Sequence, residues 1–321
     1  MEGSYKPAVL AIAGPTATGK TALGVRLAKA LGGEIISADS MQIYRGLDIG
    51  TAKVTPAEQQ GVPHFGIDIR APQELFSVAE YTALAGQWIG EITARGHLPI
   101  LVGGTGLYLE SLLSGIRFAP EPGTKALRLA LEQELQQRGA EAMYAELAAA
   151  DPQAAAAIHP HNTVRVLRAL EHYRLTGQAL SAQKAQSRPP EKPYHSLLLC
   201  LSYPDRTVLY EKIDRRVDAM MEAGLLAEAE WVYRNRADCR TAAQAIGYKE
   251  FFSYFEGTES LESCTAALKQ ASRNYAKRQL TWFRRMPEAV WLDAGDPNLA
   301  AAAQQAARRF VGDWGKGNGK E

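Results

Sequence analysis

The chain of 321 residues, 46% hydrophobic and 22% charged, is long enough for one large domain or two unequal ones around a substantial core. Its formal net charge of +1 carries no preference for or against nucleic acid, so any basic surface has to be local. Three widely spaced cysteines, Cys200, Cys239 and Cys264, exclude a disulfide framework and a zinc-ligand spacing, and no run reaches the ~20 apolar residues of a membrane span, so a cytoplasmic protein with no membrane partner is expected.

The first third alternates short apolar runs with helical patterns, which predicts a parallel α/β sheet. Strands are expected at residues 8–13, 34–38 and 98–102. Between the last two, Ser77 and Glu80 form an S-x-x-E capping box that starts a helix, and Gly96 follows its last turn. Residues 118–194 contain no strand-like run: Leu127, Leu131 and Leu135 recur at helical spacing, an alanine-rich stretch runs to Ala150, and 162–175 reads as another helix. Prolines bracket this block, Pro120 and Pro122 before it and Pro189, Pro190 and Pro193 after it. Strands resume at 196–202 and 289–292, and the Gly/Lys-rich residues 314–321 are expected to fray. The pattern predicts a discontinuous core of residues 1–117 and 195–313 around an all-helical insertion.

Gly14-Pro15-Thr16-Ala17-Thr18-Gly19-Lys20-Thr21 fulfils G-x-x-x-x-G-K-T/S between an apolar strand and a helix striped by Leu23, Leu27 and Leu31, the context that makes the motif specific. Such a loop turns backbone N–H groups toward phosphate, the helix N-terminus adds partial positive charge, and Lys20 adds a full one. Thr21 carries the hydroxyl that these loops place on Mg²⁺, so a magnesium-bound diphosphate or triphosphate is the expected ligand.

Ligands of open α/β sheets collect at the carboxyl ends of strands, which directs Asp39 into the same crevice. Its type and place allow three roles: a carboxylate in a metal sphere, a general base, or the N-cap of the next turn. The third strand ends in Gly103-Gly104-Thr105-Gly106 where a nucleotide hydrolase usually carries an acid, which counts against ATP hydrolysis. Residues 273–285 hold Arg273, Lys277, Arg278, Arg284 and Arg285 and no acidic residue, and Arg273, Lys277 and Arg284 share a helical face suited to a phosphate backbone. Trp282 and Phe283 interleave aromatic surface with these charges, although aromatics at helical spacing are more often core. Arg216, taken alone, reads as a solvated charge on an amphipathic helix.

The motifs GPTATGKT (14–21), SADSMQIYRGLDIGTAK (37–53), FSVAEY (76–81), LVGGTGLY (101–108), QAIGYKE (244–250) and RNYAKRQLTWFR (273–284) occur in this order. Together they resemble the tRNA dimethylallyltransferases, which place an isopentenyl group on the adenine beside the anticodon. The chain departs from that pattern at Pro63-His64-Phe65, where two adjacent histidines are usual, and at Val54, where proline is usual.

The resemblance implies a P-loop NTPase-like core whose loop holds dimethylallyl diphosphate, with Mg²⁺ as cofactor and tRNA as acceptor. It implies that Asp39 is the catalytic base and that Thr21, Thr105 and Arg216 join Lys20 in stabilising the leaving diphosphate. It assigns the anticodon stem-loop to Asp39, Ser40, Met41, Gln42, Thr105, Val164, Arg165, Arg168, Gln244, Gly247, Tyr248, Lys249, Arg273, Lys277 and Arg278. A monomer is expected. Two other readings use the same loop: a nucleoside or nucleotide kinase acting on ATP, and a prenyltransferase acting on free adenine nucleotides.

Overall fold

The structure, a computed structural model, describes residues 6–118 and 125–317. Among the described residues six strands form one wholly parallel sheet: β1 (Ala8–Ala13), β2 (Gly33–Ser37), β3 (His64–Phe65), β4 (Leu98–Val102), β5 (His195–Ser202) and β6 (Ala289–Asp293), in spatial order β3-β2-β4-β1-β5-β6. Every residue of β1 is buried, as continuous apolar runs require when both faces of a sheet are covered. One face packs against helices Val78–Ala94 and Gly106–Leu113 through Tyr81, Ile89, Leu109 and Leu112. The other packs against Lys20–Leu31 and Leu299–Gly317 through Leu23, Leu27, Ala303 and Ala307.

The strands expected from the sequence are all present, with β2 displaced by one residue and β5 and β6 each longer by one. β3 was not foreseen; two residues at a sheet edge leave no periodicity to read. The Ser77–Glu80 capping box is formed in both directions, and Gly96 takes φ 78° after the helix that it starts. The expected frayed tail is corrected in part. Helix Leu299–Gly317 continues through Trp314, whose indole N–H donates to the Lys6 carbonyl at 2.8 Å. Pro120 and Pro122 lie outside the described residues.

The chain divides into two compact units, Met1–Leu113 with Pro193–Glu321, and Ser114–Lys192. The second unit contains helices Lys125–Ala150, Pro152–Ala157, Thr163–Thr176 and Leu180–Ser187, with Leu131, Met143, Leu147, Val166, Leu167 and Leu170 in its core. Its first helix kinks at Gly139, which takes φ 79° and ψ 166°. Asp151 is buried yet satisfied: it accepts from Ala154 N–H at 2.9 Å, capping one helix, and from Ser181 N–H at 2.9 Å. Arg174 binds Glu134 at 2.6 Å and Glu146 at 2.6 Å, tying the outer surface of the helices together.

In the first unit, helices Arg206–Glu222 and Leu261–Phe283 pack together through Leu209, Ile213, Ala276 and Leu280. Ion pairs flank this seam, Arg273–Asp214 at 2.6 Å and Lys269–Asp218 at 2.6 Å. Helix Leu261–Phe283 also lies so close to the end of β4 that side chains there are excluded. A Cβ on Gly104 would overlap the Gln279 carboxamide, and one on Gly106 would lie 2.5 Å from the Trp282 ring. A Cβ on Gly103 would overlap the Ala38 carbonyl, a backbone atom that cannot step aside.

Two alanine substitutions should therefore move stability in opposite directions. Gly90→Ala lies mid-helix on an exposed face with open space around it, and should stabilise by about 0.5–1 kcal/mol. Gly103→Ala should lower the melting temperature; equal melting curves for the two variants would contradict this packing.

Candidate functional site at the carboxyl edge of the sheet

The phosphate loop joins β1 to helix Lys20–Leu31. Gly14 takes φ 137° against the Leu201 carbonyl, Ala17 takes φ 64°, and Gly19 takes φ 77° as the helix N-cap. The left-handed Ala17 costs about 1–3 kcal/mol and needs support from its surroundings. Thr18 Oγ1 donates to the Pro15 carbonyl at 2.9 Å, Lys20 Nζ donates to the same carbonyl at 2.6 Å, and Thr16 N–H donates to Gln279 Oε1 at 3.0 Å. No side chain caps the N-terminus of this helix, so its first-turn N–H groups face the loop as an anion site.

Two cations meet here. Lys20 is partly buried, and desolvation together with the nearby Arg216 guanidinium pushes its pKa down to about 7, while Asp39 opposes the shift. Arg216, on helix Arg206–Glu222, is also lowered by desolvation and supported by Asp39. The solvated position expected for Arg216 from the sequence alone is thus corrected: it is partly buried and shares a site with Lys20 and Asp39. An amphipathic pattern cannot report this, because the covering atoms come from other segments.

Asp39 follows β2. Its Oδ1 accepts from Met41 N–H at 2.9 Å and Gln42 N–H at 3.4 Å, so the capping role is real. Oδ2 has no hydrogen-bond partner among the described residues, which leaves one carboxylate oxygen for chemistry. Thr105 Oγ1 accepts from Ser40 N–H at 3.1 Å, and Thr105 N–H donates to the Ala38 carbonyl at 3.0 Å, locking the ends of β2 and β4 together. Tyr275 lies near the same place, beside Thr105 and Gln279, and burial, with Asp39 nearby, pushes its pKa up to about 12. Gln42 is held on both sides of its amide. It accepts from Ser37 Oγ at 3.1 Å and donates to the Ala52 carbonyl at 3.2 Å.

Gln279 and Tyr275 escape a reading by motif. A signal existed: in the buried stripe Leu268, Ala276, Gln279, Leu280, Phe283, one residue is polar, and a buried carboxamide must find partners.

Residues that the resemblance assigns to tRNA fall into several environments. Gln244 and Lys249 are exposed. Tyr248 is fully buried, its hydroxyl donating to Glu228 at 2.8 Å, and Gly247 is buried against Gly50. In this structure these two brace the 48–50 backbone, whose N–H groups also bind Glu228. Lys277 and Arg278 are exposed, whereas both Asp214 oxygens accept from Arg273, at 2.6 and 2.7 Å. The shared basic face is therefore narrower than expected, and Arg284 is the C-cap of the helix. Phe283 is core, as its pattern predicts. In the helical unit, Val164, Arg165 and Arg168 are exposed on helix Thr163–Thr176. At the departure Pro63-His64-Phe65, His64 Nδ1 bonds the Val62 carbonyl at 2.8 Å and burial lowers its pKa.

Among the described residues no cluster of three or more histidines, cysteines or acids is arranged for a metal. The exposed Thr21 hydroxyl on the first turn beside Lys20 fits a hard cation that takes its other ligands from water and phosphate oxygens.

A family model described as IPP transferase matches residues 42–286. The chain belongs to this family. It is 50% identical over 305 residues to a tRNA dimethylallyltransferase of Geobacillus thermodenitrificans, covering 94% of this chain and 96% of that one. It is 50% identical over 298 residues to the Bacillus subtilis enzyme of the same name, covering 92% and 94%. A crystal structure of tRNA isopentenylpyrophosphate transferase from Bacillus halodurans superposes with TM-score 0.73 at 44% identity, covering 97% of this chain and 99% of that one. A eukaryotic dimethylallyltransferase acting on tRNA superposes with TM-score 0.81 at 30% identity, covering 96% and 80%. Family membership and the parallel sheet agree with the P-loop NTPase-like α/β fold expected from the motifs.

The depressed Lys20 gives this site a pH signature. Above about pH 7 the free amine loses its proton, and a bound diphosphate favours its return. Binding of inorganic diphosphate should take up a proton there, and affinity should weaken by up to about tenfold per pH unit as pH rises. Calorimetry in two buffers of different ionisation enthalpy measures the uptake; affinity flat between about pH 7 and 9 would remove Lys20 from the site.

Proposed function

We propose that the chain transfers the dimethylallyl group of dimethylallyl diphosphate to the exocyclic amine of the adenine 3′ of the anticodon in tRNA, releasing diphosphate. The carrying observation is the phosphate loop, with Lys20 on its uncapped helix N-terminus, and the half-satisfied Asp39 carboxylate at the carboxyl edge of the same sheet. The relatives' names supply the donor group and the acceptor. The reaction would run in the cytoplasm on a monomer.

The chemistry follows from the residues. The adenine amine is a weak nucleophile because its lone pair is shared with the ring, so its proton has to leave as it attacks the allylic carbon. Asp39 Oδ2 accepts that proton, while Oδ1 keeps the carboxylate oriented on the Met41 and Gln42 amides. The allylic C–O bond breaks, and its electron pair goes to the diphosphate. Lys20, Arg216 and the N–H groups of the loop stabilise that charge. Mg²⁺, held by Thr21 and phosphate oxygens, would neutralise part of the same charge. Thr105 positions Ser40, and Tyr275, protonated at neutral pH, stands beside this network.

A kinase reading is weaker on a specific point. The end of β4 carries no acid to position metal and water, and its glycines are filled by Gln279 and Trp282. For the acceptor, Lys277 and Arg278 with Arg165 and Arg168 form the proposed contacts to the RNA backbone.

Asp39→Asn retains the capping oxygen and removes the proton acceptor. Its single-turnover transfer rate should fall about 10²–10⁴-fold in a variant that still melts cooperatively, and a normal rate would reduce Asp39 to a cap. Replacing Lys277 and Arg278 by alanine should lower the slope of log affinity for tRNA against log salt by about one to two units, leaving diphosphate affinity intact. An anticodon stem-loop should be prenylated far faster than AMP. Equal rates, with a shallow salt slope, would make a free nucleotide the acceptor.

A further inference from the structure

Gln279 lies on the helix Leu261–Phe283 and is only 6% exposed. Its Oε1 accepts from Thr16 N–H in the phosphate loop at 3.0 Å, and its Nε2 donates to the Gly104 carbonyl at the end of β4 at 2.9 Å. The missing Cβ of Gly104 makes room for that nitrogen. A carboxamide offers an acceptor to one backbone group and a donor to another across a short span.

We propose that Gln279 is a positioning residue for prenyl transfer, fixing the phosphate loop at a set distance from the Thr105–Asp39 edge of the site. The proposal rests on reading the loop as the diphosphate site. Three features support it. The bond to Thr16 sits next to Ala17, whose left-handed backbone needs external support. It also removes the Thr16 N–H from the donors available to phosphate, which sets the register of the remaining N–H groups in the cradle. At its other end Gly104 precedes Thr105, which holds Ser40 N–H and is met by Tyr275 one turn earlier on the same helix. The leaving-group half and the proton-accepting half of the site are thus tied to one helix, and the same helix exposes Lys277 and Arg278. A shift of about 1 Å between such halves can cost about 10²-fold in rate.

Gln279→Met keeps the volume and loses both bonds. Its KM for dimethylallyl diphosphate should rise about tenfold and its single-turnover rate fall by about 10–10²-fold, while stem-loop affinity stays within about twofold of wild type. Gln279→Glu serves where the methionine variant fails to fold. A buried carboxyl has a raised pKa and, when protonated, restores both a donor and an acceptor. The rate of Gln279→Glu relative to wild type should therefore rise as pH falls. A folded Gln279→Met with wild-type KM and rate, or a Gln279→Glu ratio that does not change with pH, would overturn the proposal. Wild type measured in parallel separates the two readings. If it fails to bind dimethylallyl diphosphate, the diphosphate reading itself is contradicted; if it binds and Gln279→Met matches it, only the clamp is.

Discussion

Lys20 and Arg216, both partly buried, lie near enough for one charge to act on the other, and the rest of the site is arranged around that electrostatic cost. Each is destabilised by desolvation, Lys20 also by its neighbour, and Asp39 offsets only part of the cost. A protein that keeps two cations in this state has stored affinity for a dense anion, because bringing one in relieves desolvation and repulsion at once. Diphosphate has the charge density to do so. In transfer chemistry it gains further charge as it leaves, so the interaction is strongest where it lowers the barrier most.

The second constraint is distance. Gly103, Gly104 and Gly106 leave the end of β4 bare, and the bareness is occupied: Ala38 approaches Gly103, Gln279 approaches Gly104, and Trp282 approaches Gly106. Motifs that stand far apart in the chain, LVGGTGLY and RNYAKRQLTWFR, are two sides of one contact. The glycines that argue against hydrolysis in the sequence serve in the fold to admit a helix.

Whatever is local was legible in the sequence. The phosphate loop is contiguous, its strand and helix are strongly patterned, and the Ser77–Glu80 cap closes within one turn. The catalytic carboxylate that the resemblance implies also sits where an open sheet gathers its ligands, at the end of a strand. What depends on distant partners was not legible. The environment of Arg216 comes from segments nearly two hundred residues away, Arg273 is spent on Asp214, and Tyr248 is buried on Glu228. Gln279 had a signal, a polar residue in an apolar stripe, yet nothing in the stripe named Thr16 and Gly104 as its partners.

The most direct test of the account follows the transferred group itself. An unmodified anticodon stem-loop is incubated with the chain, dimethylallyl diphosphate and Mg²⁺; its nucleosides are then analysed by mass spectrometry and the released diphosphate is quantified. The account predicts that one adenosine, 3′ of the anticodon, gains C5H8 with one diphosphate released per group transferred. An unchanged stem-loop, with ATP instead consumed and a phosphoryl group moved to a nucleoside, would contradict it.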